Sequence, residues 1–264
     1  MRSAATKGIY IKTPEEIARM RRAGLAAARA LRVVARCVRP GITTAHLDRI
    51  AEEAIRKEGG VPSFKGYRGF PASICVSVND EIVHGIPDRR VLREGDLVKI
   101  DLGAYVDGFH GDVATTVPVG RIPRHLVRLV QVTEEALYRA IDLVRPGVHL
   151  GDIGHAIQSF VESYGFSVVR EFGGHGVGRF LHEEPQVPNF GERGKGLVLR
   201  PGMVIAIEPM VNLGTWRSVV DGDGWTVRTA DGRPSAHFEH TVAVTPDGCE
   251  VLTLLDDEQE HPLS

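Results

Sequence analysis

Five residues whose side chains can bind metal ions are scattered through the sequence in similar local settings. They are Asp101, Asp112, His175, Glu208 and Glu239, and each one lies beside a glycine or at the end of an apolar, strand-like run. Four carboxylates and one imidazole form a ligand set rich in hard oxygen atoms. Such a set suits two adjacent divalent first-row ions better than one tetrahedral structural zinc. The residue types therefore indicate metal-assisted hydrolysis.

Asp101 and Asp112 flank a hairpin signal at Asp107-Gly108. The two aspartates are an odd number of residues apart across a two-residue loop, which predicts that they lie opposite each other on one sheet face. Their Cβ atoms would then be roughly 4.5 to 5.5 Å apart. That distance suits carboxylates that share ions roughly 3.5 to 4 Å apart. Hairpin aspartates exposed to water are the common alternative. The apolar run Leu97 to Ile100 favours the metal-bound interpretation, because a buried acid is unfavourable unless it is paired or bound to metal.

His175 lies in a glycine-rich segment, Gly173 to Gly178, which is followed by His182-Glu183-Glu184-Pro185. We expect these glycines to let the main chain and solutes approach the imidazole closely. The segment lacks the lysine and serine of a phosphate-binding loop. A glycine-flanked histidine is by itself more often a turn residue, and an acid within a strand, such as Glu239, is more often exposed to solvent. Neither residue indicates a metal site without the other acids.

The elements that must position these residues follow a repeated plan, which begins with two helices. Thr13-Pro14-Glu15-Glu16 reads as a capping box with proline at the first helical position, and apolar residues follow at helical spacing. The pattern predicts a helix that runs to about Val38 and stops at Arg39-Pro40-Gly41. A second helix is predicted to end near Gly59-Gly60.

The second half of the chain repeats this order. A helix that contains Leu126 is predicted to end at Arg145-Pro146-Gly147, and another is predicted to end near Gly165. In each half a strand-like run then ends in an acid, Asp101 in the first half and Glu208 in the second. A duplicated α+β unit would place these acids on either side of a pseudo-twofold axis, where they can share a pair of ions.

The composition is that of an ordinary globular enzyme, with 264 residues, 42% hydrophobic and 25% charged. The formal net charge of -2 and the absence of a long basic run argue against nucleic acid as the main ligand. The three cysteines are odd in number and widely spaced, which excludes a zinc ribbon or a disulfide framework. The N-terminus lacks the apolar stretch of a signal peptide, and no run is long enough to span a bilayer. We therefore expect the protein to be located in the reducing cytoplasm.

In combination, these motifs closely resemble the type I methionine aminopeptidases of the pita-bread metallopeptidase fold, from Thr13 to about Leu255. The stretches that match in order and spacing are Val78 to Pro87, Ile100-Asp101, Asp107 to Asp112, Gly174 to Gly178, His182 to Pro185, Ile207 to Met210 and Phe238 to Thr241. The resemblance implies an α+β fold with a pseudo-twofold pair of helix-helix-strand halves. These would form a curved, mainly antiparallel sheet with helices on its outer face. Residues 1–12 are expected to be an N-terminal tail, and residues 13–264 a single catalytic domain with an internal pseudo-twofold repeat.

The resemblance also implies an activity. It is the removal of the N-terminal, initiator methionine from nascent proteins and peptides with a small second residue, by two-metal-assisted hydrolysis. Two divalent ions per chain are expected, and cobalt, manganese, iron or zinc would suit the ligands. By resemblance, Asp101 is a bidentate ligand of one ion, His175 and Glu208 bind the other, and Asp112 and Glu239 bridge the two.

The remaining site residues are assigned by the same resemblance. Glu208 would also act as a proton shuttle, His182 would stabilise the oxyanion, and His84 would hydrogen-bond the scissile amide or the leaving group. An apolar pocket for the methionine side chain would be lined by Tyr67, Phe70, Cys75, Leu181 and Trp225. Leu181 stands where the resemblance implies an aromatic residue, and Phe64 and Arg68 also depart from the family pattern. We therefore expect a slightly wider pocket with looser selectivity.

The partners implied are nascent polypeptide N-termini, in transient proximity to the ribosome, with no nucleic acid and no membrane. The protein is expected to be a monomer.

Two other interpretations remain within this fold. Prolidase or aminopeptidase P uses the same five ligands, but these enzymes usually carry a large N-terminal domain, whereas about a dozen residues precede the first helix here. A non-catalytic pita-bread protein that binds ribosomes would lose ligands, and this chain keeps all of them.

Overall fold

The structure, a computed structural model, describes residues 8–255. Within this range the four α-helices are α1 (Pro14–Cys37), α2 (Thr44–Lys57), α3 (Arg124–Ile141) and α4 (Leu150–Ser163). The strands in the first half are β1 (Val61–Pro62), β2 (Cys75–Val78), β3 (Glu81–Val83), β4 (Leu97–Val106) and β5 (Phe109–Pro118). The strands in the second half are β6 (Ser167–Val168), β7 (Gly174–Gly176), β8 (Glu183–Val187), β9 (Val204–Ile207), β10 (Met210–Asn212), β11 (Ser218–Val220), β12 (Val227–Thr229), β13 (Ser235–His237), β14 (His240–Val244) and β15 (Cys249–Val251).

α1 begins at the predicted capping box. The Glu16 main-chain N–H donates to Thr13 Oγ1 at 3.2 Å, and the Thr13 N–H donates to Glu16 Oε2 at 3.0 Å. Both hydrogen bonds satisfy main-chain donors that the first helical turn leaves free. The helix ends at Cys37, one residue before the predicted limit, so this prediction is confirmed.

Each helix pair packs on sheet strands of its own half and forms a separate hydrophobic core. Beneath α1 and α2 the buried residues include Ala27, Leu47, Ile55, Val98 and Ile100. Beneath α3 and α4 they include Leu129, Leu137, Ile153, Ile157 and Ile205. Burying a leucine or isoleucine side chain stabilises a fold by roughly 1.5 to 3 kcal/mol. The two cores are the structural counterpart of the repeat in the sequence.

The strands form four sheets, and every strand pairing among residues 8–255 is antiparallel. β4 pairs with β1, β2 and β5, while β9 and β14 lie at the centre of the order β15-β14-β9-β7-β8. The two remaining sheets have the orders β13-β10-β6 and β11-β12-β3. Helices packed on antiparallel sheets in two matching halves confirm the predicted α+β class.

None of the helices in the described range combines the length and apolar character that a membrane crossing requires.

The two halves are joined at β5 and the start of β14. The Glu239 N–H donates to Ala114 O at 3.0 Å, and the Ala114 N–H donates to Glu239 O at 3.4 Å. Beside this bridge, the Asp112 N–H donates to Thr241 Oγ1 at 3.1 Å, and that hydroxyl donates to Asp112 O at 2.8 Å. The main chains that carry Asp112 and Glu239 are therefore fixed against each other.

The register of the β4–β5 hairpin corrects one prediction. The two-residue turn is where the sequence placed it, with φ of 52° at Asp107 and 88° at Gly108, as a turn with two left-handed residues requires. Val106 then pairs with Phe109, so Asp112 lies opposite Gly103, and Asp101 lies opposite Ala114. Asp101 and Asp112 share a face of the sheet, but they are diagonal neighbours and do not face each other directly.

Two strand boundaries also differ from the prediction. Asp101 lies in the middle of β4 and not at its end, because β4 continues to the turn as one arm of the hairpin. Glu239 lies between β13 and β14 and not inside a strand. At this point the chain leaves the sheet of β10 and β13 and enters the sheet of β9 and β14, so it cannot keep one ladder of hydrogen bonds.

Candidate metal centre and substrate cavity

The predicted site residues lie around a single cavity of about 140 Å³. All twelve of them line it: Tyr67, Phe70, Cys75, His84, Asp101, Asp112, His175, Leu181, His182, Glu208, Trp225 and Glu239. The remaining lining residues are Phe64 and Arg68, the two other departures from the family pattern.

The five potential metal ligands come from the strands nearest the junction of the halves. Asp101 and Asp112 project from the same face of the β4–β5 hairpin. His175 is the central residue of β7, and Glu208 directly follows β9, the neighbour of β7. Glu239 occupies the crossing between β13 and β14. Strands of both halves therefore hold the ligands, and no ligand depends on a long loop.

The glycines on either side of His175 let neighbouring main chains approach closely, as expected from the sequence. A Cβ atom on Gly174 would overlap Ala206 O of β9, and one on Gly176 would overlap Glu184 O of β8. Neither glycine has a positive φ. β7 is therefore glycine-rich because its neighbours approach its main chain too closely for a side chain.

The imidazole of His175 faces two of the carboxylates. Its Nδ1 lies 2.9 Å from Gly176 O, which places the proton on Nδ1 and leaves the Nε2 lone pair free. Nε2 lies 3.6 Å from Glu208 Oε1 and 3.8 Å from Asp112 Oδ2. One ligand atom each from Asp112, His175 and Glu239 lie within 4.8 Å of one another. Ligands of one ion at bond lengths near 2.1 Å are roughly 3 to 4 Å apart, so the spacing fits shared ions.

The charge state of the four acids also fits bound cations. Burial raises the pKa of Asp101 and of Glu208 to about 7. Burial also raises the pKa of Asp112 and of Glu239 well above the usual range, and neighbouring carboxylates add to this rise. One carboxylate oxygen in each of Asp101, Asp112 and Glu239 is buried without a hydrogen-bond partner. Buried acids that repel one another and lack donors are stabilised as carboxylates by divalent ions. The residues present therefore fit a divalent metal centre.

Two further histidines line the cavity beside this cluster. The His182 ring stacks on Tyr67 with a centroid distance of 5.2 Å, and its centroid lies 4.1 Å from that of His175. His84 has a φ of 59°, and its ring meets the edge of Trp225 at 6.4 Å. Burial lowers the pKa of His182 to about 3 and that of His84 to about 4. Both rings are therefore neutral at pH 7, and each keeps one N–H donor.

The rest of the cavity wall is apolar. Phe70, Cys75 and Leu181 belong to a buried cluster against which Tyr67 and Trp225 pack. The Phe70 and Trp225 rings are in edge contact at 5.1 Å. Burial, and then the nearby acids, raise the pKa of the Cys75 thiol well above its usual range, so Cys75 is a protonated, soft wall residue. The cavity therefore has an apolar wall beside the acids and His175.

Two residues that the sequence analysis did not identify contact the site. Asn189 Nδ2 donates to Glu208 O at 3.0 Å and fixes the main chain that carries this ligand. His237 Nε2 lies 3.6 Å from Glu208 Oε2. The only sequence signal for His237 was its position two residues before Glu239 in an apolar stretch.

Comparison with known proteins decides the family. The family model described as metallopeptidase family M24 matches residues 18–246, which is most of the chain. The chain belongs to metallopeptidase family M24. A relative named methionine aminopeptidase 1 from Bacillus subtilis is 53% identical over 245 residues, which cover 93% of this chain and 99% of the relative. The predicted resemblance is therefore confirmed.

Solved structures of M24 proteins show the same fold. A methionine aminopeptidase from Thermotoga maritima superimposes with a TM-score of 0.92 at 50% identity, covering 94% of this chain and all of that one. A prolidase from Pyrococcus furiosus superimposes with a TM-score of 0.77 at 25% identity, and the match covers 93% of this chain but 66% of the prolidase. These matches confirm the predicted pita-bread fold. Membership of a metallopeptidase family and the cluster of Asp112, His175 and Glu239 together make the site a divalent metal centre.

Proposed function

We propose that this protein removes the N-terminal methionine from nascent proteins and peptides with a small second residue, by two-metal-assisted hydrolysis. The single observation that carries the proposal is the cavity itself. A cluster of buried acids with His175 lies beside a wall of apolar and aromatic side chains that suits an unbranched thioether. Its relatives at about 50% identity are named methionine aminopeptidases, whereas the match to the prolidase is at 25% identity.

Two divalent ions per chain would be held by the five ligands. We infer that Asp101 would hold one ion, that His175 and Glu208 would hold the other, and that Asp112 and Glu239 would serve both. The oxygen-rich ligand set accepts manganese, iron, cobalt or zinc, so metal availability would decide which is bound. When bound, the ions supply a water of lowered pKa and polarise the scissile carbonyl.

The side chains around the centre would carry the remaining chemistry. Neutral His182 would donate its N–H to the carbonyl oxygen as negative charge develops there. Neutral His84 would donate to the scissile amide or the leaving group. Glu208 would accept a proton from the attacking water and return it to the departing amine. These roles require His84 and His182 to be neutral, as their lowered pKa values make them.

Selectivity would arise from the two ends of the cavity. The methionine side chain would pack against Phe70, Leu181 and Trp225, and its sulfur would contact the Cys75 thiol. A bulky second residue would crowd the carbonyl between His182 and the metal ligands, so only small residues would be accepted there.

The cellular setting is proposed on the same basis. We expect a cytoplasmic monomer that meets nascent polypeptide N-termini in transient proximity to the ribosome, without nucleic acid or membrane as a ligand. Residues 13–264 would form one catalytic domain with an internal pseudo-twofold repeat, preceded by a tail of residues 1–12. Residues 1–7 and 256–264 of this division lie outside the described range.

A panel of short peptides tests the proposal. The metal-free protein would be incubated with Met-Ala-Ser, Leu-Ala-Ser, Met-Trp-Ser and an Xaa-Pro dipeptide, each with manganese, iron, cobalt or zinc. We expect methionine release from Met-Ala-Ser, much slower release from Leu-Ala-Ser and Met-Trp-Ser, and no cleavage before proline. Preferred hydrolysis of the Xaa-Pro dipeptide would assign the protein to the prolidases. No hydrolysis with any metal would leave it a binding protein.

A further inference from the structure

His237 is a buried histidine for which the proposed mechanism has no role. It ends β13, its side chain is fully buried, and neither ring nitrogen has a hydrogen-bond partner among the described residues. Nearly all buried polar side chains in folded proteins have a partner, so an unpartnered imidazole points to a functional contact.

The main chain that carries this ring is fixed from both halves of the molecule. Thr116 Oγ1 donates to His237 O at 2.7 Å and accepts from the His237 N–H at 2.9 Å. His237 also pairs with Met210 in the sheet. One hydroxyl of β5 therefore satisfies both main-chain groups of a residue in β13.

The ring faces the carboxylate of Glu208. His237 Nε2 lies 3.6 Å from Glu208 Oε2, and His175 Nε2 lies 3.6 Å from Glu208 Oε1. The carboxylate therefore lies between two imidazoles that face different oxygens. Asn189 fixes the Glu208 main chain but leaves the orientation of its carboxylate undetermined.

The geometry of the ring suits a donor. Nε2 is the ring nitrogen that faces a carboxylate oxygen, which can only accept from it, so a tautomer with its proton on Nε2 matches this arrangement. The Nε2–H can then donate to Glu208 Oε2.

We propose that His237 is a positioning residue for Glu208, and that it orients the Glu208 carboxylate by donating a hydrogen bond from Nε2 to Oε2. The present separation exceeds an ordinary N–H···O distance by about 0.5 Å, which a small rotation of the Glu208 side chain closes. Oε1 then remains directed at His175. The inference rests on the proposed role of Glu208 as a metal ligand.

Metal binding by three variants tests this role. His237→Leu removes the donor, His237→Asn keeps a polar group that is too short to reach Glu208, and His237→Gln keeps an N–H at nearly the same reach. Dissociation constants for manganese would be measured by calorimetry on the metal-free proteins, with thermal unfolding as the check on folding. We expect binding about 10- to 100-fold weaker for His237→Leu and His237→Asn. His237→Gln should bind within about threefold of wild type.

A second background separates positioning from general damage. In Glu208→Gln protein, His237→Leu should change the dissociation constant by less than about twofold, because the partner through which it acts is already lost. If His237→Leu does not fold, the comparison of His237→Asn with His237→Gln decides. Wild-type affinity in His237→Asn, equal losses in His237→Asn and His237→Gln, or an undiminished loss in the Glu208→Gln background would overturn the inference. Wild-type release of methionine from Met-Ala-Ser is measured separately, so failure here is distinguishable from failure of the proposed function.

Discussion

Asp112 and Glu239 belong to opposite halves of the chain, yet each offers a carboxylate oxygen within 4.8 Å of the other. The hydrogen-bonded bridge between Ala114 and Glu239 produces this proximity, because it aligns β5 with the start of β14. The same bridge joins the two sheets. Assembly of the metal centre and association of the two halves are therefore one structural event.

Replacing Asp112 or Glu239, the two acids proposed to bind both ions, should abolish turnover. We expect Asp112→Asn or Glu239→Gln to reduce kcat by more than about 100-fold and to lower metal content, because loss of a direct ligand exceeds the effect of losing an outer partner. Metal content by mass spectrometry and methionine release are the measurements. Asp107→Asn is a matched control, since Asp107 lies in the same hairpin but is exposed and paired with Arg22. Near-normal activity of Asp112→Asn at saturating metal would contradict the two-ion assignment.

Metal binding should release protons and weaken as the pH falls. Burial raises the pKa of Asp101 and Glu208 to about 7, so below that pH both groups are increasingly protonated in the metal-free protein. Ions bind the carboxylate forms, so protons must leave when metal binds. Calorimetry in buffers with different ionisation enthalpies should show more protons released at about pH 6 than at about pH 8, with lower affinity at about pH 6. Equal affinity and no proton release at both would show that these acids are already ionised without metal.

His182→Ala should lower kcat far more than it raises KM. A hydrogen bond to the developing oxyanion exists mainly in the transition state, and losing it typically costs about 10²- to 10³-fold. Because His182 also stacks on Tyr67, the variant His182→Gln serves as a control that keeps an N–H donor, and it should recover part of kcat. An effect confined to KM in both variants would make His182 a residue that only positions the substrate.

Leu181→Phe should sharpen selectivity for methionine. Leu181 lines the cavity and is 2% exposed, so an added ring would contact the substrate side chain directly. Aromatic contacts contribute roughly 0.5 to 1.5 kcal/mol beyond area burial, which corresponds to at most about tenfold in discrimination against leucine or norleucine. The competing expectation is overpacking, with a loss of roughly 1 to 3 kcal/mol in the free energy of unfolding. kcat/KM for the three side chains and the melting temperature distinguish the two, and a lower Tm with unchanged selectivity would exclude Leu181 from the pocket.

The helices and the hairpin turn were predictable because their signals are local. The capping box at Thr13 and the Asp107-Gly108 turn satisfy main-chain requirements within a few residues, so the sequence displays them directly. The register of the hairpin was not predicted correctly. The two-residue turn pairs Val106 with Phe109, and counting back from that pair makes Asp101 and Asp112 diagonal neighbours. An odd separation places two residues on one face of a hairpin, but it does not place them opposite each other.

The site was predictable only in part. Its ligands were visible as acids beside apolar runs, whereas the pocket residues Tyr67 and Trp225 came from the family resemblance, since they lie far apart in sequence. The role of Gly174 and the contact of His237 depend on which strands become neighbours, and that information is not local. His237 looked like an ordinary strand residue until β13 was paired with β10, which begins two residues after Glu208.

The most direct test of the central claim is metal-dependent release of methionine from Met-Ala-Ser by the purified protein. The protein would be treated with a chelator, assayed, and assayed again after addition of manganese or cobalt, with Asp112→Asn in parallel. We expect no release without metal, release in the wild-type protein when metal is restored, and none from Asp112→Asn under the same conditions. Full activity in the chelated protein, or equal activity in the Asp112→Asn variant, would contradict a metal centre built between the two halves.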